Sequence, residues 1–200
     1  DQPLPEQLIE QAQSQQLQTA QTVVFPSMAT VGTYSKLASL KAVSAEYPLR
    51  GSLQVAQGNS QYQSTTPASG SVYVEPALLN NLHAKLGDSL RLGDRQFVIA
   101  GVLKRELDRG AGFMNFAPRV MMSLDDLKST GLIGLGSRVT YRLLLAGPDD
   151  RIAAYQQWAN RYIEAQNLRG LRIESLDNAQ PAMRKTLERA EQFLSLIALL

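Results

Sequence analysis

Apolar positions recur along the chain with two periods, and the changes of period mark its elements. After Pro5, Leu8, Ile9 and Ala12 share one helical face while the remainder through Gln21 is mostly polar. Residues 1–21 therefore predict an N-terminal helix whose narrow stripe packs on one partner only, in the manner of a stalk. Proline is tolerated in the first turn because the N–H it lacks has no helical partner there. The period then shortens to two. "TVVFPSMATV" (22–31) predicts a strand that Pro26, unable to donate to a ladder, confines to an edge or a bulge. A second strand is predicted around Leu37 to Val43, then a turn at Pro48 to Gly51 and a further short strand. "GNSQYQSTTPASGS" (58–71) predicts a loop or a hairpin tip.

From Val72 the elements shorten. "VYVEPALLNNLHAKLGDSLRLGDRQFVIAGVLKRE" predicts strand, short helix, strand, tight turn, strand. Pro76 opens the helix, Leu78, Leu79, Leu82 and Leu86 line one face, and Gly87 occupies the expected left-handed cap. Gly93-Asp94 is a hairpin signal. Residues 108–120 read as a loop with three large apolar side chains. "SLDDLKSTG" (123–131) predicts a short helix capped by Ser123, with Asp125 and Asp126 at the positive end of its dipole. "RVTYRLLLAG" (138–147) predicts a strand. After Pro148, the residues Ile152, Tyr155, Trp158, Ala159 and Tyr162 predict an amphipathic helix that stops near Gly170. "GLRIESL" (170–176) predicts another strand. A last helix starts at Pro181, with Met183, Leu187, Ala190 and Leu194 forming a coiled-coil seam. It runs without a breaker into "FLSLIALL", read here as the first residues of a transmembrane helix. A buried C-terminal helix is the alternative, since apolar runs shorter than about 20 residues are ambiguous.

Composition narrows the function classes. With 44% hydrophobic and 19% charged residues, the 200-residue chain is globular and long enough to bury a core. Its 20 basic and 18 acidic residues leave a net charge of +2, without the concentrated basic face that nucleic acid requires. The absence of cysteine excludes thiol catalysis, disulfides and the commonest zinc sites from this chain.

The remaining chemistry is sparse. His83 is the sole histidine and has no carboxylate at helical spacing; Asp88 could approach only across a turn, so a surface or half-buried imidazole is the better reading. "GNSQY" (58–62) lacks the closing glycine of a nucleophile elbow. "GAG" (110–112) is followed by no helix to receive a pyrophosphate, and no Gly-Lys pair exists for a phosphate loop. The adjacent pairs Asp125-Asp126 and Asp149-Asp150 read as helix starts. No catalytic, cofactor-binding or metal residue is assigned, and no cofactor is expected. The one candidate surface is "GFMNFAPR", where Phe113, Met114 and Phe116 sit between glycines and Pro118. Such side chains either pack onto the core or form a partner-docking tip.

Several of these stretches together resemble a known family. "EYPLRGSLQV", the unit from Val72 to Glu106 and the closing amphipathic helix are similar to the periplasmic core domain of FtsX/MacB/LolC-type ABC transporter permeases, and within them most similar to the YbbP-type permeases. The matching pattern is Leu86-Gly87-Asp88, the strand Leu90 to Leu92, Gly93-Asp94, and Phe97 to Gly101-Val102. The resemblance implies an α+β fold: a β/α layer built from both chain ends (22–70 and 137–180) and a small, mainly β lobe inserted at 71–136. Helical stalks at 1–21 and 181–200 flank it, the latter running into the membrane. It further implies a bacterial inner-membrane protein with this part facing the periplasm. A cytoplasmic ABC ATPase subunit would drive it, and a periplasmic protein or a lipid-linked cargo would be its partner. A soluble periplasmic adaptor that self-associates through its C-terminal helix is the alternative outside transport.

Overall fold

A computed structural model describes residues 3–58, 61–63, 66–106, 116–134 and 136–174. The chain divides into two units, Asp1–Tyr155 and Gln156–Leu200. The first is an α+β unit. Helix α1 (Glu6–Ser14) leads into strand β1 (Gln18–Val31), and β2 (Tyr34–Val43) returns beside it through a turn at Gly32. A hairpin, β3 (Gln54–Gln57) and β4 (Gln61–Gln63), follows. Then come β5 (Ser71–Val74), α2 (Pro76–Leu82), β6 (Ser89–Leu92) and β7 (Arg95–Arg105). β8 (Arg119–Ser123), α3 (Leu124–Leu127), β9 (Thr140–Ala146) and α4 (Asp149–Ala165) complete the order.

The nine strands form one sheet, and six of them close on themselves. Neighbours run β7-β5-β8-β2-β1-β6, and β6 also pairs with β7. The two long strands diverge beyond this ring, where β1 continues onto β9 and β7 onto β3. Side chains two apart on each ring strand point to the same face. Leu90 and Leu92, Phe97 and Ile99, Val72 and Val74, Val120 and Met122, and Leu40 and Ala42 therefore join one buried cluster, into which α2 inserts Leu78, Leu79 and Leu82. The opposite face carries a second cluster, with Val43, Tyr73, Leu103 and Met121 covered by Tyr47 and Leu53.

Pro26 lies in a gap. On its edge of β1, β9 pairs only as far as Val24 and β6 only from Ala29, so no ladder bond is lost there. Gly101 is fixed by close approach at the register shift between β5 and β7: a Cβ there would collide with Val55 and come within 2.8 Å of the Tyr73 ring.

Several elements depart from the sequence expectation. β1 starts at Gln18 rather than at Thr22, because Gln18 to Gln21 pair with β9, a partner more than 100 residues away. α2 ends at Leu82, so the left-handed cap is His83 (φ 51°); Gly87, also left-handed, sits in the following turn, where its N–H donates to Ile99 O. β8 occupies residues expected to end a loop; its first four residues are buried, so it shows no alternation. Residues 171–174 are not in a strand, and the rest of the expected strand lies outside the described residues, as does the expected helix 181–200. Among the described residues no helix is long and apolar enough to cross a membrane. In the second unit, the rings of Trp158 and Tyr162 on α4 stack at 5.1 Å.

Two predictions follow from the packing. Gly101→Ala should destabilise the domain by about 1–3 kcal/mol, the usual cost of overpacking; an unchanged urea midpoint would show that the Val55–Tyr73 contact gives way freely. The second concerns Tyr155, whose hydroxyl donates to Leu8 O at 2.9 Å and ties α4 to α1. Burial pushes this hydroxyl up to about 12 from the ordinary 10. A folded pKa raised above the unfolded one contributes stability that is complete below about pH 10 and is lost as pH rises through about 12. The stability difference between the wild type and Tyr155→Phe should therefore be constant at neutral pH and shrink above about pH 10. A difference independent of pH up to 12 would contradict the assignment.

Candidate functional site

The segment joining β7 to β8 carries the candidate docking residues. Phe113 and Met114 lie outside the described residues. Phe116 is described and 86% exposed. Beyond it the chain is pinned: Ser39 N–H donates to Pro118 O, and the Arg119 backbone exchanges two hydrogen bonds with Glu75, one to its side chain and one from its backbone. Arg119 N–H donates to Glu75 Oε2 at 2.8 Å, and Glu75 N–H donates to Arg119 O at 3.0 Å.

Under this base lies a buried charge cluster that local sequence patterns did not reveal. The Glu106 carboxylate accepts from Lys41 Nζ at 2.5 Å through Oε1 and from Arg119 Nε at 3.0 Å through Oε2. Lys41 Nζ also donates to Tyr47 Oη at 2.8 Å and lies 4.4 Å from the centre of that ring. Arg119 Nη1 donates to Ser39 Oγ. A lysine inside the apolar run "LASLKAV" was the one available signal, because a buried charge in a strand requires a partner.

Nearby, the sheet exposes apolar side chains. Met28 and Leu37 are register partners on β1 and β2 and stand 49% and 53% exposed. β8 runs parallel to β2 with Arg119 opposite Ser39, so the segment that bears Phe116 enters the sheet next to this hairpin.

The other singled-out residues have structural settings. His83 is exposed at the end of α2, with its ring 4.7 Å from that of Tyr34. Asp88 Oδ2 accepts from Lys85 N–H. Ser123 caps α3 as expected, accepting from Asp125 N–H. Asp126 does more than favour a helix start. It is buried and accepts from Ser69 Oγ, Gly70 N–H and Arg95 Nη1, which ties the chain ahead of β5 to β7 and α3. Among the described residues no three His, Cys, Asp or Glu side chains converge as a metal site would require.

The arrangement thus offers an exposed aromatic ring, Phe116, near a buried charge cluster and an apolar strip of sheet. Residues 1–162 match the MacB-like periplasmic core domain family. The chain is 34% identical over 197 residues to the uncharacterized ABC transporter permease YbbP of Escherichia coli (strain K12), covering 98% of the chain and 23% of YbbP. It therefore spans about a quarter of that relative's length. Two solved structures share the fold. The periplasmic region of MacB from Actinobacillus actinomycetemcomitans aligns with a TM-score of 0.58 at 14% identity, over 88% of this chain and 82% of that one. The extracellular domain of the noncanonic ABC-type transporter YknZ from Gram-positive bacteria aligns with a TM-score of 0.56 at 15% identity, over 79% of this chain and 82% of that one. The strand pattern around Gly87, Gly93 and Gly101, the α+β fold and the family match agree, and the chain belongs to the MacB-like periplasmic core domains of ABC transporter permeases.

Proposed function

We propose that this domain is a non-catalytic part of an inner-membrane permease. In this reading ATP hydrolysis by a cytoplasmic ABC ATPase subunit is converted into movement on the periplasmic side. The N-terminal residues ahead of β1 and residues 181–200 act as stalks, the latter leading into a membrane helix. The segments 22–70 and 137–180 form the lobe nearer the stalks, and 71–136 forms the inserted lobe. The loop with Phe113, Met114 and Phe116 docks a periplasmic protein or a hydrophobic or lipid-linked cargo, which the movement extrudes, extracts from the membrane or activates. The observation that carries this reading is Phe116: a large apolar ring 86% exposed, two residues before a chain segment fixed to the sheet at Pro118. Water gains nothing from such a ring, whereas a partner that covers it gains the full burial of an aromatic side chain.

Two measurements on the full-length protein test it. Phe116→Ala should change stability by no more than about 0.5 kcal/mol, as for exposed positions; a loss of about 3 kcal/mol or more would make the ring part of the core. A photo-crosslinking amino acid at position 116 should trap a covalent adduct with a periplasmic protein or a lipid-linked molecule in living cells, whereas the same probe at the exposed Asp149 should not. Equal labelling at both positions, or none at 116, would remove the docking role.

A further inference from the structure

Lys41, Glu106 and Arg119 have side chains 3%, 2% and 1% exposed, a degree of burial that charged groups seldom reach. Their presence is not explained by stability. Desolvation of buried ions offsets much of their attraction, so an apolar trio of similar volume holds a fold as well or better. The same face of the sheet is otherwise lined by Val43, Leu53 and Met121, so apolar packing was available at this place.

The positions of the three residues suggest what the ions add. Glu106 directly follows β7, and Arg119 opens β8. In the sheet β7 and β8 are not neighbours, because β5 lies between them. No backbone ladder therefore ties the two ends of the 107–118 segment to each other. The Glu106–Arg119 pair makes that connection across 13 positions of sequence, and Lys41 anchors the same carboxylate to β2. Arg119 is suited to this task by its planar fork: Nε faces Glu106 while Nη1 faces Ser39, so its position is defined from two directions.

We infer that Lys41, Glu106 and Arg119 form a positioning clamp that joins the end of β7 to the start of β8 and sets where Phe116 projects relative to the β1–β2 hairpin. The functional meaning of the clamp rests on the docking reading above, whereas its mechanics do not. The competing account is that the two cations are held in the core merely by charge attraction to the shared carboxylate.

The test uses the full-length protein with other cysteines removed and spin labels at positions 28 and 116. The distance distribution between the labels should be narrow in the parent. Arg119→Lys retains the charge but loses the fork, and the triple change Lys41→Met, Glu106→Leu, Arg119→Met removes all three charges at similar volume. Both should broaden the distribution while the thermal midpoint shows a folded domain. A distribution as narrow as the parent's in a folded Arg119→Lys variant overturns the clamp, because charge attraction alone then accounts for the cluster. If the triple variant does not fold, Arg119→Lys decides the question. Broadening without any loss of crosslinking from position 116 upholds the clamp and removes the docking reading instead.

Discussion

The constraint on which the fold depends is the pairing of one short strand with two long ones. β6, only Ser89–Leu92, pairs with β7 along its whole length and with β1 at Ala29 and Thr30. Without those last pairs the six ring strands would be an open sheet, and the cluster around Phe25, Leu40, Phe97 and Ile99 would have an exposed flank. The turn that follows β6 is held in place as well. Asp94 N–H donates to Thr130 O, and a Cβ on Gly93 would strike that carbonyl and lie 2.8 Å from the Leu132 side chain. The ring is therefore closed by backbone pairing and locked by a glycine that lets the turn approach the segment after α3.

A closed ring gives the domain a rigid wall, and function is then a matter of what the wall displays. Its inner face is filled by α2 and the strand side chains, and one part of its outer face is covered by the segment from Tyr47 to Val55. The part left open bears Met28 and Leu37, beside the entry of the chain that carries Phe116. Between the covered and open parts lies the Lys41–Glu106–Arg119 cluster. A second polar tie, Asp126 with Ser69, Gly70 and Arg95, joins α3 to the chain entering β5 and to β7. Polar groups buried at such junctions specify position more than they add stability.

Local chemistry made part of this legible. The order strand, helix, strand, turn, strand from Ser71 to Arg105 follows from Pro76, the leucine stripe and Gly93-Asp94, all of which act within a few residues. The Ser123 cap is equally local. What escaped depends on partners distant in sequence. β8 gave no alternation because both its faces are buried, and the start of β1 is decided by β9. His83 takes the left-handed cap although a glycine stands four residues later, because the helix ends where Leu82 meets the core. The candidate loop was recognisable from its composition, yet only the fold shows Phe116 exposed and the flanking Glu106 and Arg119 paired with each other and with Lys41 of β2.

The claim that matters most is that movement driven from the cytoplasm reaches this surface. An environment-sensitive fluorophore on a cysteine at position 116 of the full-length permease, reconstituted in liposomes with its ATPase, tests it directly. The account predicts an emission change on adding ATP that is absent with a hydrolysis-deficient ATPase. Emission indifferent to nucleotide, in a complex that hydrolyses ATP normally, would contradict it.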